Sequence, residues 1–65
     1  MKINYYGDTD TLYIEFRESN VVETKDLDEN TLLDLDQSGQ IISITLEHAS
    51  QRTDVNKLVI SGIAA

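Results

Sequence analysis

Cysteine, proline and tryptophan are absent from these 65 residues, histidine occurs once and glycine three times. Without cysteine there are no disulfides and no thiolate metal ligands, and a lone histidine does not assemble a zinc site. A single domain of this length, residues 1–65, buries too little surface to be more than marginally stable. With the usual reinforcements missing, association with further copies, a homodimer first of all, is the expected source of extra burial. A chain that needs no disulfide suits a reducing cytosol. No long apolar run occurs either: the opening Met1-Lys2-Ile3-Asn4-Tyr5-Tyr6 turns polar at Gly7-Asp8. The expectation is a cytoplasmic protein with neither a secretory signal nor a membrane partner.

Basic side chains are scarce. Twelve acidic residues against five lysines and arginines leave a formal charge of -7. That charge repels a phosphate backbone and attracts a basic protein, so nucleic acid is not the expected ligand. Residues 1–47 hold eleven of the acids and three of the bases. The electrostatic surface therefore belongs to the part before His48.

What the chain does contain is period-two alternation, which predicts a mainly β fold: a small antiparallel sheet of about five strands built from hairpins. The first two strands are read at Lys2 to Tyr6 and Thr11 to Arg17, around the turn-forming Gly7-Asp8-Thr9-Asp10. Val21 to Leu27 alternates less cleanly and carries Glu23, Lys25 and Asp26, which suits an edge strand blunted by charge. Thr31 to Asp36 and Gln40 to Glu47 flank Gln37-Ser38-Gly39. An even-length loop there pairs Leu35 with Ile42, Leu33 with Ile44 and Asp34 with Ser43; a one-residue slip would set Asp34 against Ile42 and mix the faces. His48 to Arg52 reads as a short helical turn. Beyond it, Thr53 or Asp54 would cap a helix ending near Gly62, whereas the β-branched Val55, Val59 and Ile60 favour a strand over Leu58 to Ile63. A helix there would make the fold α+β. The near-neutral tail Leu58 to Ala65 is the expected place for self-association.

Few constellations suggest chemistry. Asp34-Leu35-Asp36-Gln37-Ser38-Gly39 is similar to the start of a calcium-binding helix-loop-helix, but its twelfth position would be Thr45 instead of a bidentate glutamate, and its flanks alternate like strands. Two aspartates beside a turn glycine are the plainer reading. Asp8, Asp10 and Glu15, or Asp26, Asp28 and Glu29, are carboxylate groupings whose spacing requires no site. His48, with Glu47 and Ser50 near it, titrates in the neutral range, yet sequence neighbours do not establish a nucleophile and its base. Tyr5 and Tyr6 must point to opposite faces of a strand, leaving one of them, with Tyr13, available for stacking or cross-strand packing. There is no glycine-rich phosphate loop, no H-E-x-x-H and no G-x-S-x-G.

The run Tyr5-Tyr6-Gly7-Asp8-Thr9-Asp10-Thr11-Leu12-Tyr13-Ile14 resembles the signature of a family of short bacterial proteins, roughly Y-D-x-x-x-D-x-L-Y-I. Glu23, then Leu33-Asp34-Leu35-Asp36 with Gly39, then Ile44 and Ala49-Ser50 continue the pattern. The family is domain of unknown function 2283, and the resemblance covers about residues 2–52. Tyr6 departs from it, standing where members carry an acidic residue. The resemblance implies an uncharacterised bacterial cytoplasmic protein with no catalytic residues to carry over. It makes Asp10 and Tyr13 the positions of interest, because hairpin physics alone does not demand an acid and a tyrosine there.

Two functional expectations result. The favoured one is an acidic interaction module that dimerises and binds a basic protein, as an antitoxin binds a basic ribonuclease, with Asp10, Tyr13, Tyr6 and His48 as candidate interaction residues. The alternative is a small metal-dependent enzyme or cation-binding domain using turn carboxylates, Asp34 and Asp36 above all. No cofactor is implied.

Overall fold

The computed structural model describes residues 1–55. The expectations for Leu58 to Ile63, as strand or helix, and for self-association through Leu58 to Ala65 lie outside the described residues. Five strands form one antiparallel sheet: β1 (Lys2–Tyr6), β2 (Thr11–Glu15), β3 (Glu23–Asp28), β4 (Thr31–Leu35) and β5 (Ile41–Glu47). A single 3-10 turn, η1 (Ala49–Gln51), follows, and the described residues contain no α-helix. The sheet is therefore mainly β, as the alternation requires.

The spatial order is β1-β2-β5-β4-β3. β3, β4 and β5 are a meander of consecutive hairpins, and β2 lies beside β5, so these four strands make a Greek key. Residues 16–22 cross one end of the sheet from β2 to β3. This crossing shortens two strands relative to their sequence pattern. β2 ends at Glu15 instead of Arg17: Phe16 keeps one rung, from its N–H to the Ile42 carbonyl (2.8 Å), and Arg17 turns to an ion pair with Asp36. β3 begins at Glu23 instead of Val21 and runs on to Asp28; Val22 keeps one rung, from its N–H to the Leu35 carbonyl (2.9 Å).

The β4–β5 hairpin resolves a conflict between turn chemistry and core burial. Asp36 and Gln40, expected to end β4 and begin β5, belong to the turn: the Asp36 N–H bonds to the Gln40 carbonyl and the Gly39 N–H to the Asp36 carbonyl, both at 3.0 Å. Gly39 has φ of +82°, the left-handed conformation expected of glycine in a short hairpin loop. This loop is odd, not even. Next to it Leu35 faces Ile41 instead of Ile42, which is the slipped register. A β-bulge then absorbs Ile42, and Asp34 faces Ser43 and Leu33 faces Ile44 as the hydrophobic pattern demands. The tight turn and the correct faces coexist because one residue is left out of the ladder.

Cross-strand register assigns the faces. Ile3, Leu12, Ile14, Leu33, Ile44 and Leu46 share one face, with Tyr5 beside Leu12. Leu12 and Ile42 are almost wholly buried, at 2% and 3% exposure, whereas Ile3, Ile14, Leu33, Ile44 and Leu46 are half-buried. β3 is exposed along its whole length and irregular at Leu27, where its register with β4 shifts. It is the charged edge strand its composition predicts.

Replacing Gly39 by Ala should cost about 1–2 kcal/mol, because a Cβ there meets no atom within 4 Å and the penalty is that of the left-handed backbone. Gly39→Asn should cost less. Urea titrations of the two variants against the parent chain check the ranking. Leu12→Ala should cost about 2–5 kcal/mol in the same measurement.

Candidate functional site

The β1–β2 turn, the β5–η1 junction and the β3–β4 turn meet at one end of the sheet. Asp10 sits there with φ of 55°, a left-handed conformation that Asp tolerates better than most residues. Its carboxylate accepts the Tyr5 hydroxyl at 2.5 Å, the Ser50 hydroxyl at 2.7 Å and the Ser50 N–H at 3.1 Å. Its carbonyl accepts the Ala49 N–H at 2.9 Å. Reaching these partners requires β5 to turn abruptly. His48 supplies the turn, also at φ of 55°, and Ala49 behind it is fully buried. Asp10 and His48 are thus parts of one latch that ties the first hairpin to the end of the last strand.

A second latch is made by Arg52. Its guanidinium donates to the Asn30 carbonyl (2.8 Å) and the Thr31 hydroxyl (2.7 Å), and approaches the Asp28 carboxylate at 3.8 Å. Asp28 in turn accepts the Asn30 N–H at 2.8 Å. The sequence reading missed Arg52, and also the Tyr5 hydroxyl as a partner for Asp10. The only sequence signal for Arg52 is that it is one of few bases in an acidic chain.

The remaining candidates lie on the polar face. Tyr6 is 52% exposed and pairs with Thr11; Tyr13, half-buried, pairs with Asn4 on one side and Thr45 on the other. Both tyrosines therefore share the face that carries Glu15, Ser43, Asp34 and Thr24 in one row across the sheet. Asp34 accepts the Thr24 hydroxyl at 2.7 Å and the Ser43 hydroxyl at 2.6 Å. Asp36 caps its own turn instead, accepting the N–H groups of Ser38 (2.8 Å) and Gln40 (3.0 Å) and pairing with Arg17. The two aspartates are committed to different partners. Among the described residues no group of three or more His, Cys, Asp or Glu side chains is placed to hold a metal ion.

These hydrogen bonds favour the ionised carboxylates. The Tyr5 hydroxyl, followed by the Ser50 hydroxyl, holds Asp10 below the usual carboxylate range. The Arg17 guanidinium does the same for Asp36, and the Asn30 N–H for Asp28. The Tyr5 phenol is raised by its bond to Asp10. What this end of the sheet can do chemically is bind and brace; the carboxylates of Asp10 and Asp28 are occupied with internal donors.

The fold and these contacts define a one-sheet acidic β domain held by side-chain latches at its turns. The profile of the family described as protein of unknown function (DUF2283) matches residues 2–50, so the chain belongs to that family. The latch brings together Asp10 and Ala49-Ser50, groups from the first and last parts of the matched span. No curated protein and no solved structure matches the chain. No helix among the described residues is long and apolar enough to cross a membrane.

Because the carboxylates of Asp10, Asp28 and Asp36 are held below their unfolded values, their contribution to stability is present above about pH 4 and is lost as pH falls through the lowered folded values. Stability measured by urea unfolding should therefore fall on acidification below about pH 4. Asp10→Asn, which keeps the backbone geometry, should make that decline shallower and lower stability at pH 7. Adding Tyr5→Phe to Asp10→Asn should cost less than the two single effects summed, since both remove the same bond.

Proposed function

We propose that this chain is a protein-interaction module whose polar sheet face receives a basic partner protein, in the manner of an antitoxin toward its toxin. The observation that carries the reading is the distribution of side chains across the strands. Glu15, Asp26, Asp34 and Glu47 share one face with Tyr6 and Tyr13, and Lys2 at a corner is the one base that the strands place among them. Arg17 and Arg52 are engaged in internal contacts, so they do not offset this surface. Acids surrounding the face steer a basic partner toward it, and tyrosines supply large contact area with little rotamer entropy to lose. The latch residues Asp10 and His48 support the reading indirectly, by setting how β5 and the first hairpin lie together.

The test is recovery of the tagged chain from its native source at low salt. A basic protein should accompany it, leave at high salt, and be lost with the charge-reversed pair Glu15→Lys and Glu47→Lys. Tyr13→Ala should weaken the purified complex by about 2 kcal/mol, with circular dichroism showing that the sheet is retained. Recovery of the chain alone at low salt would overturn the reading.

A further inference from the structure

We infer that β1 pairs in antiparallel fashion with β1 of a second copy, joining two sheets edge to edge. The inference does not rest on the basic-partner reading. Its starting point is the unequal treatment of the two edges of the sheet. β3 carries Glu23, Lys25, Asp26 and Asp28 and has an irregular register around Leu27, two devices that discourage a further strand from docking. β1 has neither. It pairs with β2 through five successive residues without a bulge, and its sequence Lys-Ile-Asn-Tyr-Tyr contains no proline and no acid. Its other side has no neighbouring strand among the described residues.

A second copy is the occupant that charge selects. The chain carries a net charge of -7, so most surfaces of two copies repel each other. Residues 1–7 hold no acid and one lysine. A two-fold axis through Asn4 sets Lys2 opposite the second copy's Tyr6 and Ile3 opposite its Tyr5, so no like charges oppose one another. That axis stands perpendicular to the sheet, so the apolar face of one copy continues into the apolar face of the other. Ile3, half-buried in the single chain, and Tyr5, 40% exposed, then gain a cross-strand neighbour. About four to six backbone hydrogen bonds would close the edge.

Sedimentation of the purified chain tests this directly. The parent chain should be a dimer. Asn4→Lys and Asn4→Asp each place two like charges at the two-fold axis, and each should weaken dimerisation about fivefold or more while keeping the circular dichroism of the sheet. An equal mixture of the two variants should associate more tightly than either alone, a recovery that misfolding cannot produce. A parent chain that stays monomeric at all concentrations, or variants that dimerise as tightly as the parent, would overturn the inference.

Discussion

The pairing of β2 with β5 is the contact on which the architecture depends. Every other ladder joins strands adjacent in sequence and closes through a short turn; this one closes a loop running from Glu15 to Ser43. Closing so long a segment costs entropy that local hairpins do not incur. The two ends of the ladder are braced accordingly. At one end Asp10 grips Ser50 and Ala49; at the other Phe16 bonds to Ile42 and Arg17 reaches Asp36. The residues that look most like site chemistry are, in this light, what keeps two hairpin units in one sheet.

That division of labour explains the acidity as well. Asp28 and Asp36 cap turns whose N–H groups would otherwise lack partners, and Asp10 does the same across the β5–η1 junction. Their charges are balanced locally by hydroxyls, amides or an arginine. Glu15, Asp26 and Glu47 lie out along the polar face beside the exposed and half-buried tyrosines. An acidic chain thus uses its carboxylates in two ways, as braces at the turns and as a field over one surface, and the second use makes recognition of a basic partner the reading with physical support.

Strand identities, the β3 edge and the pairing of Leu33 with Ile44 were legible in the chain because period-two alternation reports which side chains must be buried. Strand ends were not, since Phe16 and Val22 keep strand-like residues where only single rungs, to Ile42 and Leu35, are left of the ladder. The Ile42 bulge was illegible for a different reason: hydrophobic pattern and turn preference each imply a register, and both are obeyed in different parts of one hairpin. Among the candidate residues, Asp10 stands out in the chain as an acid the hairpin does not need, but its partners Tyr5 and Ser50 were hidden, because Ser50 lies 40 residues away.

The amino-acid order by itself determined the β class, the hairpin order, the charged edge and the excess of acid, because alternation, turn residues and net charge are local or additive properties. Tertiary structure alone decided that Tyr5, Asp10 and Ser50 meet, that Arg52 reaches back to Asn30 and Thr31, and that β2 lies against β5. Those contacts span up to 40 residues, and their geometry is set by where the strands stack, which no local pattern encodes.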